Sequence, residues 1–163
     1  MRATQLALLA LAASAKLATS FEIPEGMMDG VYKVYLNENG VEVHEPLLQR
    51  ISSKNHGDCD RAVQNLKNLF GGGTVRIGPN LAWYSISGSV VAFACNKVAA
   101  QAEASADRLT RALQGITERC GWYVPGTTRF VTNLWLDPYW GYMNYHPGLD
   151  FCAASTSSRS DRC

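Results

Sequence analysis

The side chains of this 163-residue chain that could do chemistry are cysteines at 59, 95, 120, 152 and 163, histidines at 44, 56 and 146, and carboxylates concentrated before residue 61. Zinc binding needs Cys and His ligands at close, regular spacing. No Cys-x-x-Cys pair occurs, and none of His44, His56 and His146 stands at ligand spacing from a cysteine. A cysteine nucleophile needs a basic histidine nearby, and no cysteine is marked out for that role. A serine nucleophile would sit in Gly-x-Ser-x-Gly at a strand-to-helix elbow. The segment "SISGSVV" at 85–91 lacks the second glycine and leads into a strand. Glycoside hydrolysis needs two carboxylates across a cleft, whereas Glu22, Glu25, Glu38, Glu42 and Glu45 crowd the N-terminal segment. Asp58 and Asp60 suit the first turn of a helix, where they favour its dipole. "GGGT" at 71–74 follows a helix and precedes a strand, the reverse of a phosphate loop. The sequence therefore predicts a non-enzymatic protein with no metal and no cofactor.

The first twenty residues, "MRATQLALLALAASAKLATS", have the anatomy of a secretory signal peptide: Arg2, a short apolar run, and small-residue cleavage patterns. The run is too short to span a bilayer, and no later segment is apolar and long enough to do so. The expectation is a signal peptide at 1–20 and one secreted, extracellular domain at 21–163, with a polar tail over about 153–163. Of 15 basic residues, Arg2 and Lys16 leave with the leader, against 14 acidic ones, so the mature chain is close to neutral. That composition argues against a nucleic-acid or polybasic membrane binder. In an oxidising compartment the cysteines should mostly pair. Five is an odd number, so one thiol is left free or joins a partner chain. Many pairings are open; Cys59 with Cys95 is preferred, with a second bridge among Cys120, Cys152 and Cys163.

The elements that must position these residues follow from periodicity. "GVYKVYLNENGVEVHEPLL" reads as a β-hairpin over 30–47 turning at Asn39-Gly40. Cys59, Ala62, Val63, Leu66, Leu69 and Phe70 recur at three and four residues, predicting a helix over 59–70 with Asp58 as N-cap and Gly71 after its end. The next segment, 74–96, is rich in strand formers and punctuated by Gly78-Pro79-Asn80 and Ser87-Gly88. "VVAFAC" is apolar on both faces, as a central strand would be. "AEASADRLTRALQGITERCG" reads as a second helix, with a stripe of Leu109, Ala112, Leu113, Ile116 and Cys120 and a stop at Gly121. "WYVPGTTRFVTNLWL" reads as strand, turn, strand. This order predicts an α+β domain, an antiparallel β-sheet with two helices packed on one face, stapled by disulfides.

The C-terminal stretch "WLDPYWGYMNYHPGLDFC" is dense in aromatics. Trp135, Tyr139, Trp140, Tyr142 and Tyr145 form a candidate binding surface, set against a structural role in which a strand, a Pro147-Gly148 turn and Cys152 close the sheet. Within the closure reading, Tyr139 and Trp140 are still expected on the surface.

"DCDRAVQNLKNLFGGGTVRI", "LAWYSISGSVVAFACN" and "ADRLTRALQGITERCG" together resemble the necrosis-inducing-factor type effector domain of small secreted fungal proteins, and the α/β sandwich of killer toxins, over about residues 57–124. The family's cysteine ahead of the Asp-Cys pair is absent here. The resemblance implies a secreted, virulence-related effector or toxin-like protein that binds a host or competing-microbe target, protein or glycan. The alternatives are a carbohydrate-binding module for cell walls that uses the C-terminal aromatics, and a small secreted hydrolase.

Overall fold

The computed structural model describes residues 21–49, 57–130 and 137–157. The signal-peptide reading, Trp135 and Cys163 lie outside them. Among the described residues, eight strands and three helices follow in the order β1 (Gly30–Leu36), β2 (Glu42–Gln49), α1 (Asp58–Phe70), β3 (Val75–Ile77), β4 (Leu81–Ser87), β5 (Val90–Asn96), β6 (Ala102–Ala104), α2 (Ala106–Cys120), β7 (Gly126–Thr128), β8 (Tyr139–Asn144) and α3 (Phe151–Ser157). Six strands form one antiparallel sheet, β2-β1-β4-β5-β8-β7, and β3 pairs with β6 in a separate ribbon.

Strand alternation sorts the apolar side chains onto two faces of the sheet. One face carries Val31, Ala92, Ala94, Trp140 and Tyr142 against Ala62, Leu66 and Phe70 of α1 and Leu109, Ala112 and Ile116 of α2. The other carries Tyr32, Val34, Tyr84, Ile86, Val91 and Phe93, covered by Phe21 and Ile23 and by Phe151 and Cys152 of α3. The expected antiparallel sheet with helices and a disulfide is present. The expectation of two helices on one face is met only in part, because strands predominate and a third helix helps cover the opposite face.

Covering both faces explains the composition of β5. It is central and apolar throughout, as predicted. Ala94 lies in register between Trp83 and Trp140, and its small size leaves room for both indoles. Phe70 then stacks on Trp83 at 5.7 Å and meets Trp140 edge-on at 6.0 Å. The hairpin is as expected: Asn37 Oδ1 accepts from the backbone N–H groups of Asn39 and Val41, and Gly40 takes φ 71°. Pro46 falls in β2, an edge strand, where a missing N–H is tolerated.

Several local expectations are corrected. Gly57, not Asp58, is the N-cap of α1, and no side chain caps that end; the Asp58 carboxylate turns to the β4–β5 turn instead. Residues 102–104, placed with the second helix, form β6, because pairing with β3 outweighs the helix propensity of alanine. Helix α2 starts after Ser105, whose Oγ accepts from the Arg108 N–H. Residues 122–124 form a turn and not a strand. Residues 153–157, assigned to the polar tail, continue α3, where Ser155 is buried and its hydroxyl donates to the Cys152 carbonyl at 2.7 Å.

The disulfide pairing is also corrected. Cys95 bonds Cys152, not Cys59. The reason is topological: Cys95 points to the α3 face of the sheet, whereas Cys59 packs with the α1 and α2 face. Cys120 is disulfide-bonded as well, and Cys59 keeps a free thiol.

Candidate functional site

The turn between β4 and β5 gathers three other parts of the chain. Asp58 accepts from the Ser89 N–H and hydroxyl, each at 2.9 Å, and pairs with Arg61. Arg61 Nε donates to Ser87 Oγ at 3.0 Å. The Gly88 N–H donates to Asp29 at 3.0 Å, and the Tyr145 N–H to the Ser89 carbonyl at 2.7 Å. The Ser89 donors, followed by Arg61, hold the Asp58 carboxyl below its ordinary range.

Asp60, two residues on, faces a different neighbour. Helix α2 ends at Gly121, which adopts φ 100°, and three exposed side chains follow: Trp122, Tyr123 and Val124. Trp122 is 79% exposed and Tyr123 59%. Tyr123 holds φ 60°, the left-handed region that non-glycine residues rarely occupy. Its hydroxyl donates to Asp60 Oδ2 at 3.2 Å, and its ring centre lies 6.3 Å from that of Trp122, tilted by 47°. The Asp60 charge raises the Tyr123 phenol. The Cys59 thiol is pushed up to about 11, by burial first and by Asp60 second.

The candidate aromatic surface at the C-terminus is largely interior. Trp140 is fully buried and Tyr142 is 5% exposed, because β8 lies between β5 and β7 and these two residues face the helices. The expectation of a surface Trp140 is therefore overturned. Tyr139 is half-buried, lies under the Arg129 guanidinium at 5.0 Å, and accepts a hydrogen bond from it at 3.3 Å. Tyr145 is half-buried at the edge of the α3-side core. The exposed aromatic pair lies instead at 122–123. The sequence carried one signal for it: these residues stand between the Gly121 helix stop and Pro125-Gly126, two turn-forming positions.

Two other clusters bring together groups that could do chemistry. His44 Nε2 lies 2.5 Å from Glu42 Oε1 and its Nδ1 2.7 Å from the Tyr84 hydroxyl, a carboxylate–imidazole–phenol relay. Tyr84 is fully buried and its phenol is raised chiefly by burial, so the relay ends inside the core with no reachable oxygen. A cavity of about 220 Å³ is lined by Arg108, Arg111, Phe130 and Asp137. Arg108 already pairs with buried Asp137 and with Glu103, so of the two arginines lining the cavity its charge is offset by carboxylates. Among the described residues no cluster of three or more His, Cys, Asp or Glu could hold a metal, and no helix is long and apolar enough to cross a membrane.

Comparison with family models, with curated proteins and with solved structures finds no match to this chain.

Proposed function

We propose that the chain is a secreted, effector-like or toxin-like protein that acts by binding a host or competitor target, with residues 122–124 as its contact surface. The observation that carries this reading is the Trp122–Tyr123 pair, displayed to solvent on a left-handed backbone residue and tied to α1 through Asp60. Exposed aromatics of this kind are the usual anchors of protein contacts, where Trp and Tyr supply most of the binding energy. A non-glycine residue at positive φ costs about 1–2 kcal/mol, and such outliers concentrate at functional sites. The Cys95–Cys152 bridge suits a protein that meets extracellular proteases.

The carbohydrate-binding reading has a specific observation in its favour too, but on different residues. Two adjacent exposed rings can stack on sugar faces, whereas Trp140 and Tyr142 cannot. The test applies purified wild-type protein and the Trp122→Ala/Tyr123→Ala double variant to plant tissue and to competing microbial cells. The wild type is expected to act and the variant to lose that effect at unchanged melting temperature. Full activity of the folded variant overturns the assignment of the surface.

A further inference from the structure

We infer that the Trp122–Tyr123–Asp60 corner seats an arginine side chain of a partner protein. The inference rests on the reading of residues 122–124 as the contact surface and adds the chemistry of what docks there.

The argument begins with the two carboxylates in the first turn of α1. Asp58 is taken up by the Ser89 N–H and hydroxyl and by Arg61. Asp60 accepts only the Tyr123 hydroxyl, on Oδ2, and its Oδ1 has no hydrogen-bond partner among the described residues. A charged acceptor with open lone pairs therefore stands beside Tyr123, whose ring neighbours that of Trp122. Aromatic faces carry negative quadrupolar potential and attract cations. The carboxylate and both faces thus select for positive charge. The same field appears in the neighbours: Asp60 raises both the Tyr123 phenol and the Cys59 thiol.

Ring geometry narrows the class. The two rings are tilted by 47°, with centres 6.3 Å apart, so they present two inclined faces and not a flat platform. A broad sugar face is poorly matched to that angle. A guanidinium is flat, stacks on one ring, and directs N–H groups in its own plane toward a carboxylate. A lysine ammonium has charge but no plane to stack. Val124, 38% exposed, extends the apolar rim that an arginine's methylene stem would cover. The Tyr123–Asp60 hydrogen bond holds the Tyr123 ring in place before the partner arrives, which lowers the ordering cost of binding.

The experiment titrates the full-length oxidised protein with blocked tetra-arginine, tetra-lysine and tetra-glutamate peptides and with a chitin hexasaccharide. Binding is read from the Val124 backbone N–H resonance, which wild type and every variant retain. The arginine peptide is expected to shift that resonance and to bind at least ten-fold more tightly than the lysine peptide. Asp60→Asn should weaken arginine binding about ten-fold, and Trp122→Ala, at a solvent-facing position, should abolish it while the rest of the spectrum is unchanged. Added salt should weaken it as well. Equal affinity for arginine and lysine, unchanged binding in Asp60→Asn, or preference for the sugar overturns the inference. If the sugar alone binds, and loses its binding in Trp122→Ala, the contact surface stands and only the arginine assignment falls. If Trp122→Ala affects neither peptide, sugar nor biological effect, both fall.

Discussion

Replacing Gly88 by alanine would put a methyl group where the Asp58 carboxylate sits. A Cβ built on Gly88 falls 2.2 Å from Asp58 Oδ2 and 2.5 Å from Cγ, and Gly88 holds φ 53°. Two costs follow. Alanine in the left-handed region is disfavoured by about 1 kcal/mol. The carboxylate must also move, and it gives up the Ser89 N–H and hydroxyl. Those bonds involve a charged acceptor but are partly solvated, so their combined loss is about 1–3 kcal/mol. The sum is about 2–4 kcal/mol, read as a fall in the urea midpoint of about 1–2 M for a small domain. The control is the same substitution in an Asp58→Ala background. There the space is open, and only the backbone cost of about 1 kcal/mol should remain. An equal loss in both backgrounds refutes the clash. Acid titration gives an independent check. The Asp58 carboxyl is lowered in the folded state, chiefly by the Ser89 N–H, so its contribution is present above the unfolded value of about 3.9 and is lost as pH falls through the folded one. Asp58→Asn should therefore flatten the dependence of stability on pH below about 4.

Gly141→Ala should be more damaging, because its Cβ would lie 2.4 Å from the backbone oxygen of Gly126 and 2.9 Å from the Phe93 ring. β7 would have to leave β8, and the expected loss is more than about 3 kcal/mol by denaturation; near wild-type stability would show that β7 adjusts freely. Removing the Cys95–Cys152 bridge, across a separation of 57 residues, should cost about 4 kcal/mol by loop entropy, and a Cys95→Ala/Cys152→Ala variant with an unchanged melting temperature would contradict that. The Cys59 thiol, at about 11 through burial and then Asp60, should alkylate far more slowly than a free thiol at pH 8. Stability linked to it should be intact below about 9 and fall as pH rises through about 11; rapid native-state labelling at neutral pH would contradict the burial.

The legible parts of the fold were those set by local rules. Asn39-Gly40 announces a turn because glycine accepts positive φ there. The stripes of α1 and α2 are regular enough to mark the buried face of each. The central place of β5 follows from its being apolar on both sides. What failed depended on distant partners. Trp140 looks surface-bound until β8 is known to lie inside the sheet, with Phe70 over it. Ala102 and Ala104 suit a helix as well as a strand, and only β3 decides between them. Ser155 looks like part of a tail, yet its hydroxyl is satisfied within its own helix turn and so can be buried. Cys59 and Cys95 fail to pair because their sulfurs lie on opposite sides of the sheet, which spacing along the chain does not reveal. The exposed Trp122–Tyr123 pair was hidden by strand propensity, since aromatic residues favour strands wherever a partner exists.

The bridge between Glu22 and Asp150, flanked by hydrogen bonds from Ile23 to Leu149 and from Gly148 to Ile23, bears on how the chain acquires its structure. The first described residues are neighbours of nearly the last. Phe21, Ile23, Tyr84 and Phe93 share one apolar cluster with Phe151 and Cys152. While the chain emerges from a ribosome or a translocation channel, that cluster stays open until residues 149–152 are free. Folding therefore waits on a late, long-range closure, which is slow by topology. Forming the Cys95–Cys152 bond records that closure has occurred. The bond thus doubles as a checkpoint: it forms only once residues 149–152 have reached that side of the sheet.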